Sequence, residues 1–121
     1  MSHWITYIII IALFIVWFLL KSRGSAKGIR TITTKELREA IKDKNKQFID
    51  VRTPGEYKGN HIREFKNIPL NQLSQKLNLL TKDKEVIVIC QSGMRSAKAS
   101  KILKQNGFDK VTNVRGGMSA W

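Results

Sequence analysis

The stretch EVIVICQSGMRSAKASKILKQNG, Glu85 to Gly107, decides the fold. Val86-Ile-Val-Ile89 is an unbroken run of β-branched residues. Such a run fits a strand covered on both faces, the position of a strand inside a parallel sheet. From about Ser96 the apolar spacing becomes helical, with Ala99, Ile102 and Leu103 inward, and Asn106-Gly107 supplies a helix stop. Strand, polar loop and helix in that order form one step of a β/α alternation.

The same alternation extends to both sides. Ile29–Ile32 opens as a strand, and Thr33 and Glu36 have capping-box spacing before a helix from about Thr34 to Lys44. Gln47–Val51 reads as a short buried strand, and Thr53-Pro-Gly-Glu56 as a turn able to open a short helix. Asn67-Ile-Pro-Leu70 is extended, because the residue before a proline is pushed toward β. Asn71 is placed to cap a helix with the stripe Leu73, Leu77 and Leu80, and Lys110–Val114 is a further strand. Five strand candidates interleaved with helices predict an α/β domain, a mainly parallel central sheet flanked by helices on both faces.

Cys90 stands where the doubly buried strand ends and the loop begins, the end at which open α/β sheets bind ligands. Gly93 lets the loop curl, and successive amides in such a curl form an anion nest. The helix start after it adds partial positive charge and Arg95 a full one. Together they are expected to favour a thiolate and make Cys90 a nucleophile near neutral pH. A lone cysteine after an apolar run is more often a small buried hydrophobe. The neighbouring Gln91, Ser92, Gly93, Met94, Arg95 and Ser96 supply curl, charge and helix start together, which favours chemistry.

Composition narrows the classes further. The chain has 121 residues, room for one small domain and an appendage. Its single cysteine excludes an internal disulfide and, with only two histidines, argues against a structural metal site. The net charge is +13, but the basic residues are scattered and no nucleic-acid motif accompanies them. A nucleic-acid partner is therefore disfavoured against small anions and an anionic membrane surface.

The N-terminal run Trp4–Leu20, WITYIIIIALFIVWFLL, has no charged residue. As a helix it measures about 25 Å, the short end of a membrane span. Trp4, Tyr7 and Trp17 suit the two interfaces. No positive charge precedes the run, whereas Lys21, Arg23, Lys27 and Arg30 follow it, unlike a cleaved signal peptide. The expectation is a single transmembrane helix at residues 1–20, then a basic flexible linker at 21–28 and a folded domain at 29–121. By the positive-inside rule the N-terminus lies outside and the domain in the cytoplasm.

At this point a family becomes recognisable. Cys90-Gln-Ser-Gly-Met-Arg95-Ser96 closely resembles the active-site loop of rhodanese domains. Ile49-Asp50-Val51-Arg52-Thr53-Pro54, then Glu56-Tyr57, Gly59 and His61-Ile62, resembles that family's first signature. Asn67–Leu70 resembles its continuation, and Asn113-Val-Arg-Gly116-Gly117-Met-Ser-Ala-Trp121 its closing signature. The resemblance implies the rhodanese-like fold and a sulfurtransferase needing no cofactor. Cys90 would take sulfane sulfur from a small anionic donor, thiosulfate or a persulfide, and pass it to a thiol, cyanide or a protein acceptor. Residues 91–96 would cradle the persulfide, with Arg95 anchoring the donor. Four residues lie between Cys90 and Arg95, the length the resemblance assigns to sulfur, where related phosphatases have five.

Asp50, Arg52 and Glu56 read best as an ion-pair network bracing the loop, and His61 as a hydrogen-bonding support. Two departures from the family stand out. Arg63-Glu64-Phe65 replaces the usual Pro-Gly-Ala, and the chain stops at Trp121 where many relatives continue, an expected opening on one side. The competing readings are a non-catalytic membrane-tethered interaction module and a cysteine redox sensor, which would need an external thiol.

Overall fold

The computed structural model of the chain describes residues 3–26 and 28–121, with 20–26 described by backbone alone. Five strands form the sheet: β1 (Ile29–Ile32), β2 (Gln47–Asp50), β3 (Lys66–Asn67), β4 (Val86–Ile89) and β5 (Val111–Val114). Their order is β1-β5-β4-β2-β3, and every neighbouring pair is parallel. All five expected strands are present, four within a residue of their expected spans, while β3 starts one residue early and ends at Asn67, three residues short of Leu70.

β4 shows why the run at Val86–Ile89 is decisive. Its residues alternate between two cores, and all four are fully buried. Val86 and Val88 join Ile49, Leu73, Ala99, Leu103, Phe108 and Val111 on one face. Ile87 and Ile89 join Ile32, Leu37, Ile62, Phe65 and Val114 on the other. Helix α5 (Met94–Gln105) and the short α4 (Leu70–Leu73) cover the first face. The second is covered through α2 (Thr34–Ala40), the segment after α3 (Pro54–Gly59), and α6 (Gly117–Ala120).

The sheet order also positions the site. The connection leaving β2 runs to β3 at one edge, while that leaving β4 runs to β5 toward the other. The crevice between the carboxyl ends of β2 and β4 is therefore a topological switch point, where open α/β sheets bind ligands.

Three boundaries differ from expectation. Helix α2 keeps the Thr33–Glu36 capping box but ends at Ala40, because an Asx turn from Asp43 to the amide of Asn45 competes with a further turn. The helix expected after Asn71 is two pieces. Pro69 caps α4, and a separate 3-10 turn spans Leu77–Leu79. Leu73, Leu77 and Leu80 still pack on the first core, so the periodicity gave the face correctly but not a continuous helix.

The third difference is at the N-terminus. Helix α1 (His3–Ala26) is present, and every described side chain from His3 to Leu19 is exposed. Among the described residues, however, no helix is long and apolar enough to cross a membrane. The side chains described end at Leu19, about 25 Å of helix against about 30 Å of bilayer core, so the expected span finds no support there. Of the expected linker at 21–28, residues 21–26 continue the backbone of α1 and residue 27 lies outside the described residues.

The core assignment makes a stability prediction. Leu103→Ala should cost about 2–5 kcal/mol in chemical denaturation, and Leu79→Ala, at a site 49% exposed, within about 0.5 kcal/mol. Equal losses would contradict the placement of α5 against the sheet.

Candidate active site

Cys90 follows β4 directly, and its side chain is fully buried. The loop closes around its own sulfur. Gly93, at φ 111°, turns its amide back to donate to Cys90 Sγ at 3.0 Å. A side chain at that φ would be strained. Gly93 is also the N-cap of α5, so the open amides of the helix start lie beside the sulfur.

Ser96, one turn into the helix, is the second partner. Its Oγ lies 3.2 Å from Cys90 Sγ and 3.1 Å from the carbonyl of Gly93. With a thiol, Cys90 donates to Ser96 and Ser96 donates to Gly93. With a thiolate, the Ser96 hydroxyl rotates and donates to sulfur. Burial pushes the Cys90 pKa up. The Ser96 hydroxyl and the amides of Ser96, Gly93 and Ser92 outweigh it, so the thiol lies below its ordinary value.

The loop is held from two further sides. On one, Asp50 and Arg52 form a buried ion pair. Arg52 Nε and Nη2 donate to the carboxylate at 2.9–3.1 Å, and the Arg52 amide donates to Asp50 Oδ1. Arg52 Nη1 then donates to Gln91 Oε1 at 3.3 Å. Arg52 Nη2 also donates to the carbonyl of Asn60. Asn67 ties down the backbone by donating to the carbonyls of Asp50 and Arg52.

On the other side α6 docks end-on. The amides of Met118 and Ser119 donate to the carbonyls of Cys90 at 2.8 Å and Gln91 at 2.9 Å. Gln91 Nε2 donates to Ser119 Oγ. A Cβ at Gly117 would lie 2.2 Å from the Cys90 carbonyl oxygen, and φ there is +56°. Only glycine lets this segment close on the loop.

The three acidic and basic residues read as one brace separate into two devices. Asp50 and Arg52 brace Gln91, whereas Glu56 pairs with Arg95. Arg95 Nη1 and Nη2 donate to Glu56 Oε1 and Oε2 at 2.6 and 2.9 Å, a two-point contact between α3 and the start of α5. Glu56 is also the far half of a capping box with Thr53. The Arg95 contact, opposed by burial and helped by Thr53, lowers the Glu56 carboxyl to about 2. Its contribution to stability is full above the ordinary carboxylate range and is lost as pH falls toward 2, so the pair is intact at neutral pH. The Arg95 pKa is raised by the Glu56 hydrogen bond, with the charges of Glu56 and Cys90 adding.

The structure brings the loop and the residues read as its braces together, but the Arg95 fork is occupied by Glu56 instead of being open to a donor. Ser92 and Met94 form the exposed lip of the loop. His61 supports a turn as expected: Nδ1 meets the carbonyl of Tyr57 at 2.8 Å and the ring stacks on Tyr57. In the departing segment Arg63-Glu64-Phe65, Phe65 is buried in the second core and its carbonyl accepts from Tyr57 Oη. Ser119 and Asn67 were not legible as site residues. Each acts through a contact between segments distant in sequence. Among the described residues no group of His, Cys, Asp and Glu could hold a metal.

Ser96 carries a direct test. Ser96→Ala should raise the Cys90 pKa and lower the thiolate fraction at neutral pH. Ultraviolet thiolate absorbance against pH, with Cys90→Ser as blank, reads this; an unmoved midpoint would contradict the role of Ser96.

Comparison with known proteins agrees with this geometry. Residues 33–121 match the Rhodanese-like domain family. The uncharacterized protein YqhL of Bacillus subtilis is 37% identical over 114 residues, covering 94% of this chain and 89% of its own length. A protein named Sulfurtransferase from Allochromatium vinosum is 31% identical over 94 residues, covering 77% and 88%. The crystal structure of a rhodanese-like domain protein from Staphylococcus aureus superposes with a TM-score of 0.70 at 38% identity, covering 76% of this chain and 90% of that one. With the parallel sheet, the cysteine loop after β4 and these matches in agreement, the chain belongs to the rhodanese-like domain family.

Proposed function

We propose that the protein is a sulfurtransferase with Cys90 as nucleophile and sulfur carrier. The observation that carries this is the convergence of the Gly93 amide and the Ser96 hydroxyl on a buried sulfur. In the reaction with thiosulfate, the Cys90 thiolate attacks the outer sulfur. The S–S bond of the donor breaks, sulfite leaves with the electron pair, and Cys90 keeps a persulfide anion. Cyanide or a thiolate then attacks the outer sulfur of the persulfide. With cyanide, thiocyanate leaves and the Cys90 thiolate returns. A persulfide donor enters the same cycle and leaves as a thiolate.

Charge balance explains the donors. Negative charge sits on the Cys90 sulfur before attack and on the outer sulfur after it. Preorganised amides and a helix start stabilise both without reorganisation. The sulfurtransferase name of the Allochromatium vinosum relative supports the same chemistry. Sulfur carriage accounts for these donors better than redox sensing, since the chain's single cysteine has no resolving partner within it. A non-catalytic module would have no need of them.

The test is thiocyanate formation from thiosulfate or a persulfide in the presence of cyanide. Wild type should turn over and Cys90→Ser should lose at least about a thousandfold, the scale expected when a covalent nucleophile is removed. Equal rates would sink the reading.

Our reading places the protein at a membrane through α1, with the domain on the cytoplasmic side. Its support is the exposed, uncharged helix surface from Trp4 to Leu19 and the basic residues that follow. The protein should stay with membranes through an alkaline carbonate wash, and the domain should resist protease added to intact cells. Release by the wash would remove the anchor, and digestion in intact cells would reverse the orientation.

A further inference from the structure

A cavity of about 470 Å³ opens beside the loop, between α4 and α5. Thiosulfate is a five-atom ion, whereas cavities of about 300–1,000 Å³ hold organic ligands of metabolite or drug size. The cavity is thus far larger than an inorganic donor needs.

Its lining is mixed. Val51, Leu70 and Ile102 supply apolar surface, and Asn71, Ser74 and Lys98 supply polar groups. Arg95, Lys98 and Ile102 recur at helical spacing, so one stripe of α5 runs from the loop along the cavity. Arg95 is both the end of the Cys90 loop and part of this lining, so the cavity adjoins the loop.

Charge in the cavity is unevenly committed. Arg95 gives both terminal nitrogens to Glu56. Among the described residues, the side chains of Lys98, Asn71 and Ser74 have no hydrogen-bond or ion-pair partner, and no acidic residue lines the cavity. The cation open to a ligand is Lys98.

We infer that this cavity binds the organic body of a small carboxylate-bearing persulfide, with its carboxylate on Lys98 and its methylenes on Val51, Leu70 and Ile102. This rests on the proposed role of Cys90 and names the donor class for it. The Cys90 thiolate attacks the outer sulfur of RS–SH. The RS–S bond breaks, RS⁻ leaves with the electron pair, and Cys90 holds the persulfide with its proton. Asn71 and Ser74 face whatever amide groups the donor carries.

The experiment compares N-acetylcysteine persulfide with its methyl ester as donors, with cyanide as acceptor, in wild type and Lys98→Glu. Lys98 is exposed, so the substitution leaves the core untouched. Wild type should favour the carboxylate donor by about tenfold in kcat/KM, the scale of one charge-assisted hydrogen bond. Lys98→Glu should abolish that preference. A second arm needs no sulfur transfer: N-acetylmethionine is titrated into full-length Cys90→Ser protein and watched by ligand-observed saturation-transfer NMR. Contact is expected with that protein and is lost when Lys98→Glu is added. A preference unchanged by Lys98→Glu, or no contact in the second arm, overturns the cavity assignment. Absence of transfer from every donor with contact intact would instead overturn the role of Cys90 and leave the cavity standing.

Discussion

A sulfur atom shut off from water carries negative charge only if the protein replaces the hydrogen bonds that water would have made. Cys90 is such an atom, and the surrounding structure follows from meeting that requirement. Donors must come from behind and beside the sulfur, so the chain turns sharply at Gly93 and starts a helix at once. The Ser96 hydroxyl serves the thiol and the thiolate by rotating. The Cys90 and Gln91 carbonyls, left facing outward by the curl, are satisfied by the amides of α6. That contact in turn requires a residue without a Cβ at Gly117.

The two ion pairs do different work because they lie at different depths. Asp50 and Arg52 are buried, and removing either would strand a charge at a cost of about 3–5 kcal/mol. They fix the crevice between β2 and β4 and, through Gln91, the side of the loop. Glu56 and Arg95 are partly exposed and join two helix starts. Their pairing leaves the Arg95 charge largely neutralised toward a donor. Recognition of an anion then falls to the loop amides at the sulfur and to Lys98 farther out.

Much of this was legible because it depends on local pattern. The four β-branched residues of β4, the Thr33–Glu36 capping box, the Thr53–Glu56 turn, the Gly93 turn and the Asn106-Gly107 stop each encode their own conformation within a few residues. The resemblance to rhodanese domains added the expectation that the nucleophile Cys90 carries sulfur. What was not legible depends on distance. Arg95 was read as an open anion anchor, since nothing in its own segment announces that Glu56 will reach it across 39 positions. Cys90 stands at a ligand-binding strand end, yet its side chain is buried because it joins Ile49, Val51 and Ala99 in the first core. The leucine stripe at 73, 77 and 80 was right about direction and wrong about continuity, because packing of a face does not require one helix. The length of the N-terminal apolar run suggested a span that the described part of α1 does not support.

The central claim is that Cys90 itself holds transferred sulfur. Intact-protein mass spectrometry after incubation with a sulfane donor, without an acceptor, tests it most directly. The account predicts the mass of one added sulfur, mapped to the peptide containing Cys90, absent in Cys90→Ser and removed by cyanide. An unmodified Cys90 under conditions in which sulfur transfer proceeds would contradict it.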